Sequence, residues 1–130
     1  MRLLAPLALA GALALEPALA RDNGQWGNSS KTIRDWYAGL MMPDKPAISC
    51  CGTADAYWAD DFAVEGDHYV AIITDDRDDA PLRRPHIDVG TRIEVPNHKL
   101  KYDAGNPTGH GVIFVGPGQQ VYCYVVPGGT

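Results

Sequence analysis

Between residues 30 and 41, apolar side chains recur at the spacing of one helix face. They fall at positions i, i+3, i+4, i+7 and i+8: Ile33, Trp36, Tyr37, Leu40 and Met41. This spacing predicts an amphipathic helix whose apolar face packs against a sheet. A side-chain oxygen from residues 28–30 can cap its first turn, and Pro43 prevents its continuation.

Beyond residue 60 the pattern changes to the alternation and short apolar runs that are typical of β-strands. Residues 62–64 and 68–74 flank a Glu-Gly-Asp turn, which predicts a hairpin. Residues 112–115 and 120–126 flank a Gly-Pro-Gly turn and predict a second one. Residues 89–95 form a further strand between the two hairpins, with alternate positions on one side: Val89, Thr91, Ile93 and Val95.

Residues 53–61 fit two patterns, and we interpret them as a short turn or helix that leads into the first strand. The sum is one helix near the N-terminus and about five antiparallel strands. This combination predicts the α+β class, with the helix packed on a small antiparallel barrel or sandwich.

The first twenty residues have the layout of a secretory signal peptide. Arg2 is the charged start, residues 3–15 are apolar, and the Ala-Leu-Ala sequence of residues 18–20 is a cleavage site. We therefore expect residues 1–20 to be removed and residues 21–130 to form one secreted domain. The apolar run is too short to span a bilayer, so no membrane span is expected.

The charge balance narrows the range of partners. The chain has 11 basic and 16 acidic side chains, and loss of Arg2 and Glu16 with the signal peptide leaves the net charge at −5. An acidic chain does not bind nucleic acid through a basic face. We expect a periplasmic or extracellular location, and a protein, a cell-wall component or a small molecule as the partner.

The three cysteines are the most informative residues of the sequence. In an oxidising compartment paired thiols form disulfides, so we expect Cys50 or Cys51 to bond to Cys123 in the last strand. The spare thiol stays free, or links two chains into a dimer, so both a monomer and a disulfide-linked dimer are open. The C-x-x-C spacing of thiol–disulfide catalysts is absent.

Two loops are candidates for binding. The loop that contains Asn106, Thr108, Gly109 and His110 precedes a strand and has the glycines that allow close backbone approach. Asp60, Asp61 and the acidic run at residues 75–79 are further surfaces to test. That run does not fit an EF-hand, because Arg77 interrupts it, so we interpret it as a solvated loop.

A metal site and a hydrolase site are the chemical alternatives. Four side chains are candidate metal ligands: Cys50, Cys51, His98 and His110. Their spacing matches no structural zinc motif, so they would have to converge in space. Residues 109–116 resemble the histidine strand of NlpC/P60 peptidoglycan hydrolases, which implies His110 as the base and Cys51 as the nucleophile.

A series of short motifs resembles small secreted or periplasmic bacterial proteins of uncharacterised function. The motifs are Trp36-Tyr37, Ser49-Cys50-Cys51-Gly52, Asp55, Val95-Pro96, Val121-Tyr122-Cys123-Tyr124-Val125 and Pro127-Gly128-Gly129. From this resemblance we expect a further cysteine directly after the aspartate, whereas Ala56 stands here; the odd number of cysteines would then reflect one broken pair. The resemblance implies an envelope protein and supplies no catalytic residues.

Taken together, these patterns favour a binding module over an enzyme. We expect a small disulfide-stabilised secreted or periplasmic protein without a cofactor. The alternative is a metal-handling or thiol-active envelope protein that uses the cysteines and His110, with the cysteine hydrolase as a third possibility.

Overall fold

The computed structural model describes residues 31–50 and 55–128. Its helices and strands are α1 (Lys31–Gly39), β1 (Asp55–Trp58), β2 (Asp61–Glu65), β3 (His68–Ile72), α2 (Asp79–Leu82), β4 (Arg92–Val95), β5 (Leu100–Lys101), β6 (Val112–Val115) and β7 (Val121–Val125). The predicted signal peptide, the cap of the first helix and Cys51 lie outside the described residues. Within the described ranges, no helix is long and apolar enough to cross a membrane.

The strands form two separate sheets within the described part of the chain. Sheet I has the order β1-β6-β7-β5, and sheet II has the order β2-β3-β4. All pairs are antiparallel except β5 with β7, which is parallel. The α+β class is therefore confirmed, whereas the sheets do not close into a barrel.

The main core lies between the two sheets. Alternate residues of sheet I, such as Ile113 and Tyr124, face sheet II, which contributes Ala71, Ile93 and Val95. All five side chains are at most 4% exposed. This core follows from the period-two alternation of strands, which places every second side chain on one face.

A second core lies on the other face of sheet I, beneath α1. Phe114, Cys123 and Val125 pack there against Tyr37 and Leu40 of the helix region. The predicted amphipathic helix is thus present, but it ends at Gly39, before Leu40 and Met41. Tyr37 on its apolar face is buried, and Ile33 and Trp36 are partly buried. Because sheet I is covered on both sides, all four residues of β6 are buried, as expected for a continuous apolar run.

Three sequence predictions differ from the structure. The interpretation of residues 53–61 as a turn or helix was wrong, because β1 is a strand whose Ala56 and Tyr57 face opposite layers. The strand predicted at residues 89–95 begins only at Arg92, and Val89 is 58% exposed. The third difference is the two-residue strand β5, which together with β1 raises the number of strands from about five to seven.

A disulfide connects the segment after α1 to the centre of sheet I. Cys50 is bonded to Cys123, with the two Cα atoms 5.7 Å apart. The Cys50 N–H also donates to the Leu40 carbonyl oxygen at 2.9 Å, which fixes the chain at the end of the helix. Of the two adjacent cysteines that the sequence offered, Cys50 forms the bridge.

The double substitution Cys50→Ala/Cys123→Ala is expected to lower the free energy of unfolding by about 4 kcal/mol. The bridge spans a sequence separation of 73 residues, and its loss returns that loop's freedom to the unfolded chain. Urea denaturation measures the change, with Cys51→Ala as the control that keeps the bridge. An unchanged unfolding free energy in the double variant would refute the stabilising role of the disulfide.

Candidate functional site

The loop before β6 is held by its own side chains. The Asn106 amide donates to the His110 carbonyl oxygen at 2.7 Å, and its oxygen accepts from the Thr108 N–H at 2.9 Å. The His110 N–H donates to the Thr108 hydroxyl at 3.0 Å. Gly109 provides the left-handed conformation, with φ of 78°, that the turn requires. Asn106 and Thr108 therefore order the loop, and His110 stands at its end.

Asp60 orients the His110 ring. Its carboxylate lies 3.0 Å from Nδ1 of His110 and accepts the Gly111 N–H at 2.9 Å. The Thr74 hydroxyl donates to the same carboxylate at 3.1 Å and accepts the Asp60 N–H. With Nδ1 engaged, Nε2 is the ring nitrogen that another group can approach. The nearby hydroxyl of Thr74 binds Asp60 rather than the imidazole.

The His110 imidazole and the Arg77 guanidinium both pack on the indole of Trp58. The His110 ring stacks on it with the centroids 3.8 Å apart and an interplanar angle of 7°. The guanidinium carbon of Arg77 lies 3.8 Å from the centre of the indole ring, which is a cation–π contact. Trp58 therefore fixes the His110 imidazole and the Arg77 guanidinium at one end of β1.

A buried carboxylate covers the outer edge of β1. Asp75 accepts the Trp58 N–H at 3.0 Å and a hydrogen bond from the Arg84 guanidinium at 2.8 Å. The same Arg84 nitrogen donates to the Ala56 carbonyl oxygen at 3.1 Å. The Asp75 and Arg84 side chains are 0% and 2% exposed. They bind two of the backbone groups of β1 that point away from β6, and the Thr74 N–H donates to a third, the Trp58 carbonyl oxygen, at 3.0 Å.

Two arginines keep Asp75 ionised. Burial by itself would raise the pKa of Asp75, but the hydrogen bonds from Arg77 and Arg84 outweigh it and hold the pKa well below its usual range. Asp79 binds Arg84 at 2.7 Å and continues the network. The interpretation of residues 75–79 as a solvated loop was therefore wrong for Asp75, because Arg77 and the buried Arg84, nine residues away in the sequence, both bind its carboxylate.

The candidate metal ligands do not meet in the described part of the chain. The Cys50 sulfur is part of the disulfide. His98 Nε2 lies 3.9 Å from a carboxylate oxygen of Asp44, and His110 binds Asp60. Within residues 31–50 and 55–128, no three His, Cys, Asp or Glu side chains form a group that could hold a metal ion. Cys51 lies outside these ranges.

The edge strand β2 offers free backbone groups. A two-residue turn joins Glu65 to His68, and Gly66 adopts a φ of 65° there. In such a hairpin the two residues next to the turn, Glu65 and His68, exchange both of their backbone hydrogen bonds, and hydrogen-bonded pairs then alternate with pairs that are not hydrogen-bonded. The N–H and C=O of Phe62 and Val64 therefore point away from β3. No hydrogen bond to them occurs among the described residues.

Beside this edge, apolar side chains remain exposed. Phe62 and Val64 are 40% and 60% exposed, although they lie on the face of sheet II that forms the core. Phe62 packs on the half-buried Tyr69 with ring centroids 5.1 Å apart, and the Tyr102 hydroxyl meets that of Tyr69 at 3.3 Å. We call Phe62, Val64, Tyr69 and Tyr102 the β2 patch. It is a continuation of the core that sheet I does not cover.

The other face of β2 is acidic. Asp61 and Glu65 are exposed, and so is Asp67 in the turn. Glu65 forms an ion pair with Arg92, whereas Asp61 has no ion pair among the described residues. The sequence predicted the hairpin but not the exposure of its first strand, because exposure depends on how far the other sheet extends.

No family model, curated protein or solved structure matches this chain.

Asp75→Asn is expected to lower the free energy of unfolding by about 3 kcal/mol at pH 7, because it leaves the buried Arg84 guanidinium with Asp79 as its one remaining carboxylate partner among the described residues. The folded-state pKa of Asp75 is lower than that of the unfolded chain. Its stabilisation is thus fully present above about pH 4 and is lost as the pH falls through the folded-state value. Urea denaturation between pH 2 and 7 measures both effects.

Asp76→Asn is the matched control, because Asp76 is an exposed carboxylate in the same loop. It should change the free energy of unfolding by no more than about 0.5 kcal/mol. If the two substitutions lowered the free energy of unfolding equally, the buried position of Asp75 would add nothing to its contribution to stability, and the prediction would be wrong.

Proposed function

We propose that this chain is a secreted or periplasmic, disulfide-stabilised binding module that adds an extended segment of a partner polypeptide to strand β2. The observation that carries the proposal is the coincidence of free backbone groups on β2 with the exposed Phe62 and Val64. Strand addition uses both features, since main-chain hydrogen bonds supply affinity and alternate side chains supply specificity.

The edge strands β1 and β4 support the proposal by contrast with β2. On β1 the outward N–H of Trp58 and the outward carbonyl of Ala56 are bound by Asp75 and Arg84. Proteins commonly cover or charge such edges to prevent unwanted pairing. Phe62 and Val64 of β2 have no comparable cover among the described residues.

On β4, the other edge of sheet II, the exposed side chains are the charged Arg92 and Glu94, whereas the apolar Ile93 and Val95 are buried. Exposed apolar side chains therefore distinguish β2 as the strand that an incoming segment can extend.

The disulfide and the absence of a membrane-crossing helix in the described ranges are compatible with an exported protein. His110 is the residue that the metal-handling and hydrolase hypotheses share, and Asp60 orients it as either role requires. Among the described residues, the His110 imidazole is hydrogen-bonded to one carboxylate, that of Asp60, and to no side chain that could act as a nucleophile. Strand addition therefore has the stronger support.

Binding of the neutral peptide Ser-Thr-Val-Thr-Val-Thr-Ser tests the proposal. In a titration followed by NMR, we expect the largest amide shifts at Phe62 and Val64. Val64→Pro removes an outward N–H without removing a bond to β3, and it should weaken binding about tenfold, the value of one lost hydrogen bond.

Val64→Thr is the control, because it keeps both the N–H and the branched side chain, and it should bind nearly as well as the native protein. Shifts that map away from β2, or equal affinity of the proline and threonine variants, would contradict strand addition.

A further inference from the structure

We propose that the segment accepted by β2 carries basic side chains opposite Asp61 and Glu65 and apolar side chains opposite Phe62 and Val64. This inference rests on the proposed function and specifies the chemistry of its partner. The pattern it predicts is basic–apolar–small–apolar–basic, read along an antiparallel strand.

The two faces of β2 determine this pattern. Phe62 and Val64 lie on the inner face, and the register with β3 places Asp61, Ala63 and Glu65 on the outer face. Side chains of an added strand alternate in the same way, and directly opposite pairs approach to about 5 Å. Apolar side chains of the partner thus extend the β2 patch, while its outer-face side chains meet two carboxylates.

The outer-face carboxylates favour a cationic partner. Asp61 is exposed and has no ion pair among the described residues, and Asp67 is exposed at the neighbouring turn. Glu65 already binds Arg92, so a basic residue opposite it would share that carboxylate. The partner's basic group opposite Asp61 therefore gains most. The net charge of −5 adds a general attraction for a basic segment.

The same charges disfavour a second copy of the chain as the partner of β2. If two β2 strands paired about a two-fold axis through Ala63, Asp61 of each copy would lie opposite Glu65 of the other. Like charges directly opposite each other destabilise a strand pair. Acidic residues on an exposed edge thus oppose self-association while they leave the edge open to a basic strand.

Three peptides of equal length test the inference. They differ only at the two flanking positions: Ser-Lys-Val-Thr-Val-Lys-Ser, Ser-Thr-Val-Thr-Val-Thr-Ser and Ser-Glu-Val-Thr-Val-Glu-Ser. At low salt the lysine peptide should bind about fivefold more tightly than the neutral peptide, since cross-strand charge pairs contribute modestly. The glutamate peptide should bind most weakly, and the differences should shrink at high salt.

A charge-neutral variant identifies the responsible carboxylates. Asp61→Asn/Glu65→Gln should bind the lysine and neutral peptides equally, whereas the control Asp76→Asn should keep the fivefold preference. Equal affinity of the native protein for the lysine and neutral peptides would overturn this inference and leave the proposed function intact. Failure of all three peptides to bind at β2 would overturn the proposed function itself.

Discussion

The buried ion pair between Asp75 and Arg84 is the interaction on which the closed edge of β1 and the packing of Arg77 and His110 on Trp58 depend. It binds the Trp58 N–H and the Ala56 carbonyl oxygen on the outer edge of β1 and holds the loop after β3 against sheet I. The same carboxylate holds Arg77 over Trp58, and Trp58 in turn supports His110. A buried charge without its partner is costly, so the edge of β1 and the ordering of the site are maintained together.

The edge strands β1 and β2 differ in how far other parts of the chain cover them. Sheet I is enclosed by α1 on one face, sheet II on the other, and the Asp75–Arg84 pair along β1. Sheet II has β4 at one edge, with its apolar side chains buried, and β2 at the other, where Phe62 and Val64 are not covered by sheet I and the outer face is acidic. The closed edge stabilises the fold, and we infer that the open edge serves binding.

Local patterns in the sequence predicted the local elements. The spacing of apolar residues predicted helix α1, and the turn residues predicted the hairpin around Gly66 and the β6–β7 hairpin. The position of Cys123 in the last strand indicated the disulfide. The features that the sequence did not predict correctly depend on tertiary packing. β1 has no clean alternation because both of its faces are buried, and the burial of Asp75 requires Arg84. The exposure of Phe62 depends on the extent of the opposite sheet.

Amide hydrogen exchange of the free, oxidised protein tests the contrast between the two edges most directly. The account predicts that the Trp58 N–H, which is bound by buried Asp75, exchanges at least about a hundredfold more slowly than the N–H groups of Phe62 and Val64. Exchange of Phe62 and Val64 as slow as that of Trp58 would show that β2 is already covered and would contradict the account.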